Sequence, residues 1–173
     1  KLDGTLWTWG LNDKGQLGVG NTYNQGVPTQ VYRGQSPNTS TMYLLSTSLV
    51  SVGYDHMVTI VTIIDNIDTG AQHQEIYAWG TDTYGQLGIG TDLTATPVTE
   101  FYREPMRVKQ RTGTDASDNP IFIDLGSDEV NIGTVEKLSA GTFYTAAVTT
   151  KKQVLSWGYN GDGQLGVGSM YNV

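Results

Sequence analysis

The chain has 173 residues, with 10 Lys and Arg against 17 Asp and Glu, a formal charge of −7. That balance argues against a general nucleic-acid binder, which needs a basic face to neutralise phosphate. The absence of Cys removes disulfides, thiol catalysis and Cys-based zinc sites, and no apolar run reaches the ~18 residues of a membrane-spanning helix. Gly (22 residues) and Thr (23 residues) are abundant, while charged residues are only 16%. Gly suits tight turns, and Thr with Val, Ile and Tyr suits pleated strands, so an all-β chain is expected. It opens Lys1-Leu2-Asp3-Gly4, without Met or an apolar leader, and reads as a processed or partial chain.

In chain order, a short strand-like run Leu6-Trp7-Thr8 leads into Trp9-Gly10-Leu11-Asn12-Asp13-Lys14-Gly15-Gln16-Leu17-Gly18-Val19-Gly20. Pro28 follows and leads into Val31-Tyr32. Next comes Val50 to Thr62, with Gly53 and His56, alternating apolar and polar residues as a half-buried strand does. An insertion at about 63–75 holds Asp65, Asp68, His73 and Glu75. After Ile76-Tyr77-Ala78 the first motif returns as Trp79-Gly80-Thr81-Asp82-Thr83-Tyr84-Gly85-Gln86-Leu87-Gly88-Ile89-Gly90, followed by Pro97 and Val98 to Phe101.

A second insertion spans about 103–133. Its first part is basic, with Arg103, Arg107, Lys109 and Arg111, and its second part acidic, with Asp115, Asp118, Asp124, Asp128 and Glu129. A two-stranded β-arm is expected, Met106 to Lys109 pairing with Ile121 to Ile123 across a turn from Gly113 to Pro120. Opposite charges across such strands contribute ~0.2–1 kcal/mol per pair. Those four basic residues are the candidate contacts of an arm that grips a neighbouring subunit. Leu138 to Thr150 then repeats the Gly53-His56 strand, with Gly141 and Tyr144 in the matching places. Val154-Leu155-Ser156 introduces the third copy, Trp157-Gly158-Tyr159-Asn160-Gly161-Asp162-Gly163-Gln164-Leu165-Gly166-Val167-Gly168.

Seven of the twelve positions are identical in the three copies. Their Trp residues lie 70 and 78 residues apart, so residues 1–173 are read as one domain of about two repeats and an unfinished third. These residues resemble the regulator of chromosome condensation (RCC1) repeat of seven-bladed β-propellers. The match lies in the strand ending Trp-Gly, the Gly-Gln-Leu-Gly-x-Gly loop, the following Pro and the Gly-x-x-His strand. The wording Asp3-Gly4-Thr5-Leu6-Trp7-Thr8-Trp9-Gly10 looks more like bacterial and phage versions than animal ones. The resemblance implies a partial propeller of two to three antiparallel four-stranded blades. Leu17, Leu87 and Leu165 are expected to plug the core between blades. Gln16, Gln86 and Gln164 are expected to hydrogen-bond loop backbone.

Chemistry looks absent. His56 falls on a repeat position that Tyr144 fills in the other copy, which favours a buried hydrogen-bonding role over catalysis. Asp65, Asp68 and Glu75 lack EF-hand spacing. The Gly-rich loop lacks the Lys-Ser/Thr and helix of a phosphate cradle. No catalytic residue, metal or cofactor is expected, nor membrane insertion. The expected function is a structural, protein-interacting module whose partners are other subunits of an assembly, such as a phage virion tail, fibre or capsid-associated protein. A host-surface receptor or glycan is a further partner this reading admits, and the expected location is a virion or the cell exterior, with the cytoplasm as the alternative. The alternatives are a guanine nucleotide exchange factor, like the name-giving family member, or a bacterial surface adhesin. An ultraviolet-receptor reading fails, because it needs Gly-Trp-Arg-His-Thr segments where this chain has Gly53-Tyr54-Asp55-His56-Met57 and Gly141-Thr142-Phe143-Tyr144-Thr145.

Overall fold

The computed structural model describes residues 1–36, 41–91, 93, 101–114, 120–124 and 133–173, the side chains at 111–114 and 120–124 excepted. Among these residues every regular element is a β-strand: β1 (Trp7–Gly10), β2 (Gln25–Gln30), β3 (Thr47–Val52), β4 (His56–Asn66), β5 (Ala71–Thr81), β6 (Phe101–Arg107), β7 (Lys109–Thr114), β8 (Pro120–Asp124), β9 (Val135–Ala140), β10 (Tyr144–Thr149) and β11 (Val154–Gly158). They form a complete four-stranded sheet, β3-β4-β5-β6, a three-stranded sheet, β9-β10-β11, a pair, β1-β2, and a hairpin, β7-β8, all antiparallel. Each Trp-Gly strand (β1, β5, β11) occupies the same place, and β4 and β10 are the matching Gly-x-x-His/Tyr strands. These are blades of an RCC1-like propeller: one complete, one of three strands and one of two.

The complete sheet is covered on both faces. Val58 and Ile60 of β4, with Ile76 and Ala78 of β5, pack against Leu87, Val108, Val135, Ala147 and Trp157. Their odd-numbered neighbours Met57, Val61, Tyr77 and Trp79 pack on the other side against Leu6, Val31 and Leu44. Successive strand residues point to opposite faces, so one sheet feeds two cores. The half-buried strand expected at Val50–Thr62 is therefore buried on both faces from His56 to Val61, because a blade stands on each side. In β10, by contrast, only alternate residues are buried.

Two further differences have local causes. Pro28 lies inside β2 rather than ahead of a strand at Val31-Tyr32. It is tolerated because β2 is an edge strand, where the missing N–H leaves no ladder bond unmade. The insertion at 63–75 is not a loop but an extension of β4 and β5, whose ladder runs on to Asn66 opposite Ala71. Asn66 Oδ1 closes the tip by accepting from the N–H groups of Asp68 (2.8 Å) and Thr69 (3.1 Å).

Candidate interaction surface

The three Gly-rich loops are built alike. Each is two successive turns, Gly15 N–H donating to Asn12 O and Gly18 N–H to Gly15 O, with the same bonds in the second and third copies. The Gln side chains brace the first turn. Gln16, Gln86 and Gln164 accept from the N–H of Lys14 (2.8 Å), Tyr84 (2.9 Å) and Asp162 (3.0 Å). Leu17, Leu87 and Leu165 are all buried, and Leu87 sits in the core shared by two blades.

The hub of each loop is a residue that repeat counting passes over. Asn12, Asp82 and Asn160 are each wholly buried. Their Oδ1 atoms accept from the N–H of Leu17 (2.9 Å), Leu87 (2.9 Å) and Leu165 (3.0 Å). Asn12 Nδ2 donates to the carbonyls of Asn21 and Tyr23, and Asn160 Nδ2 to those of Ser169 and Tyr171. Asp82 has no amide to donate; its second oxygen accepts from the Thr91 hydroxyl instead. Burial pushes the Asp82 carboxyl up from 3.8 to about 6. The signal was legible: the third residue after each repeat Trp is always Asn or Asp.

Neighbouring blades interlock through these loops. Trp79 Nε1 donates to Gln16 O at 2.9 Å, and its indole lies flat enough on Gly18 that a Cβ there would stand 2.7 Å from Nε1. Trp157 stands on Gly88 with the same 2.7 Å spacing. Trp79 is 0% exposed and Trp157 7%, whereas Trp9 is 62% exposed. Around Trp9 lies an apolar groove of about 410 Å³ between β1 and β3, bordered by Leu6, Leu11, Val50, Val52 and Tyr54.

Between the second and third blades Gln86 O is taken by Thr145 Oγ1 (3.0 Å), and Trp157 Nε1 has no partner among the described residues. With its proton given to Gln86, the Thr145 hydroxyl accepts from His56 Nε2 at 3.0 Å, which sets the Nε2–H tautomer. Burial lowers the His56 pKa from 6.5 to about 4, so it is neutral at pH 7. His56 thus ties two blades together, and its ring lies on Gly53 as that of Tyr144 lies on Gly141.

The basic residues expected on one arm are divided. Val108 is buried in the core between blades, and it separates β6 from β7. Arg103 and Arg107 belong to β6 and so to the blade: Met106 pairs with Ala78 and Arg107 with Tyr77, not with Ile121–Ile123. Arg107 reaches Glu75 Oε1 at 2.9 Å, and Tyr77 donates its hydroxyl proton to the same carboxylate. His73 Nδ1 is 2.7 Å from Asp65 Oδ1, so the polar residues of the extended hairpin pair among themselves. Lys109 and Arg111 do belong to the arm, in β7. Register sets Lys109 opposite Asp124, Gln110 opposite Ile123 and Arg111 opposite Phe122. The acidic residues Asp115, Asp118, Asp128 and Glu129 lie outside the described residues. Among the described residues no group of three His, Asp or Glu is placed to hold a metal ion.

Comparison with known proteins agrees with this repeat architecture. The regulator of chromosome condensation (RCC1) repeat model matches residues 3–60 and 74–148, and a second RCC1 repeat model matches 135–164. The gap at 61–73 falls on the extended hairpin. Over 170 residues, 98% of the chain, it is 29% identical to a bifunctional serine/threonine-protein kinase/NEDD4-like E3 ubiquitin-protein ligase of Dictyostelium discoideum, of which it covers 7%. It is 24% identical to protein RCC2 of Mus musculus and 24% to the ultraviolet-B receptor UVR8 of Arabidopsis thaliana, over 95% and 96% of its length. It covers 38% and 40% of those two proteins, so it spans less than half of each of these relatives. Among solved structures, human WBSCR16 superposes with a TM-score of 0.44 at 18% identity, over 98% of this chain and 47% of that one. With the family model matching well over half its residues, the chain belongs to the RCC1 repeat family.

Proposed function

We propose that this chain is a non-enzymatic scaffold that binds other proteins within a larger assembly. The observation that carries the reading is where its buried polar groups go. His56, Thr145 and Gln86 join one blade to the next, and Asp82 organises a loop. Side chains held in this way stiffen a frame, and partners are left the surface: the groove beside Trp9, the rim turns and the β7-β8 hairpin.

The assembly proposed is a virion, with the protein as a tail, fibre or capsid-associated component facing a host-surface receptor or glycan. The Thr-, Asn- and Gly-rich composition and the inserted hairpins motivate this choice. Mass spectrometry of purified particles tests it: a fixed stoichiometry supports the reading, and absence from particles overturns it. Catalysed nucleotide release from a small GTPase would overturn the non-enzymatic part.

A further inference from the structure

One rim of the blades carries a row of aromatic side chains that no repeat position explains. Tyr54 in the β3-β4 turn meets Phe143 in the β9-β10 turn, ring centroids 6.0 Å apart and planes at 70°. Phe143 meets Tyr84 at 5.3 Å and 56°, and Tyr84 meets Tyr159 at 5.0 Å and 59°. Tyr84 and Tyr159 come from the loops of two successive blades, so the row crosses from one blade to the next. Tyr54 is 77% exposed.

A cavity of about 200 Å³ opens beside this row, lined by Lys14, Asp55, Thr81, Thr83, Tyr84 and Phe143. Among the described residues Asp55 Oδ1 is buried there and accepts no hydrogen bond of normal geometry, although the nearby Thr81 hydroxyl and the Lys14 charge both favour its ionised form. Burial raises the Asp55 pKa, as expected for a carboxylate losing water. Among the described residues Asp55 forms no salt bridge. Lys14, the basic residue of the lining, places its ammonium 6.0 Å from the centre of the Phe101 ring.

A carboxylate oxygen buried without a hydrogen bond is costly, and a cation brought into direct contact with it relieves that cost. Aromatic ring faces attract cations as well, most strongly where water is excluded. The two features coincide here in a chain of net charge −7. We propose that this cavity receives a Lys or Arg side chain presented by a protein partner, with the cation held by Asp55 and flanked by Tyr84 and Phe143. The proposal rests on the scaffold reading above and names the chemistry of one contact. A sugar is the other class that exposed aromatic rings can hold. It uses the rings but has no charge to compensate Asp55, which is why the observations favour the cation.

The test titrates the protein with Nα-acetyl-lysine methylamide, Nα-acetyl-arginine methylamide and N-acetylglucosamine, following the backbone amide NMR signals of Asp55, Tyr84 and Phe143. Saturable shifts with one or both cations, weakened at least tenfold by Asp55→Asn, support the proposal. Lys14→Gln removes the competing cation and is expected to leave the affinity unchanged or raise it. Shifts with the sugar alone, no shifts with any probe, or equal cation affinity in the Asp55→Asn protein would each overturn it. Particles that incorporate the Asp55→Asn protein normally, while the wild-type protein ignores both cations, would sink this site and leave the scaffold reading standing.

Discussion

Replacing Asp82 by Asn is expected to stabilise the protein at neutral pH and to expose a pH dependence that the wild type conceals. Two buried groups titrate in the same window with opposite sign. The Asp82 pKa is raised in the folded state, from 3.8 to about 6. Its favourable contribution is complete below 3.8 and is lost as pH rises through 6. The His56 pKa is lowered, from 6.5 to about 4. Its contribution is complete above 6.5 and is lost as pH falls toward 4. At pH 5 the unfolded chain therefore holds a proton on His56 and the folded chain holds one on Asp82. The proton counts balance, and these two groups give almost no slope. At 1.36 kcal/mol per pKa unit, ionising buried Asp82 costs about 3 kcal/mol at pH 7. Asn12 and Asn160 show that an amide fits this position and gains loop carbonyls as acceptors. The Asp82→Asn protein is thus expected to be about 3 kcal/mol more stable than wild type at pH 7, the gain vanishing near pH 4. Urea unfolding followed by Trp fluorescence at several pH values measures this difference, in which every other titrating group cancels. A difference that does not change with pH, or a loss of stability at pH 7, would refute the argument.

Three further outcomes follow from the interlocks and the arm. Gly88 and Gly166 share a positive φ, but a Cβ on Gly88 meets Trp157 while one on Gly166 meets nothing. Gly166→Ala is expected to cost about 1 kcal/mol of unfolding free energy and Gly88→Ala about 3, since overlap adds to the shared backbone strain; equal costs would show that the Trp contact is not tight. Thr145→Val strips the hydroxyl between His56 Nε2 and Gln86 O, leaving a buried donor and a buried acceptor unmatched. A loss of about 2 kcal/mol in the same urea assay is expected, and a neutral result would contradict the bridge. A short Gly-Ser linker in place of residues 110–132 is expected to leave the blades folded, because Val108 and Val135 already meet in one core, yet to abolish assembly in sedimentation. Removing 104–109 as well would take part of β6 and Val108 from the blade, and unfolding is expected instead.

The frame was legible because its signals are repeated and local. The Trp-Gly pair, the Gly spacing and the Gly-x-x-His strand each specify backbone geometry within a few residues, so the blade order could be read before any contact was known. The breaks were less visible because they depend on partners far along the chain. Val108 divides the basic stretch only because Val135 and Ala147 wait for it in another blade. Periodicity marks β4 as half-buried, yet a second blade covers its other face. The Asn/Asp hub recurs in every copy, but its two residue types share one shape and differ in charge and donors, so counting identities alone passes over it.

The same contrast locates specificity. Between blades, recurring residues such as Leu87, Gln86 and Gly88 are turned inward, hold blades and loops together and offer little to a partner, whereas the recurring Trp9 stands exposed beside its groove. Two of the positions where the copies diverge stand on the rim. Lys14, Tyr84 and Asp162 occupy one loop position, and Asp55 and Phe143 occupy another. Each blade edge therefore differs chemically while the frame beneath it stays the same. Asp55 lies beside Phe143 and Tyr84 because three elements bring non-repeated residues together on a repeated scaffold. Exchanging Asp55 with Phe143 would preserve the composition of the rim but move the carboxylate to the next blade, and loss of cation binding in that protein would show that position on the frame decides recognition.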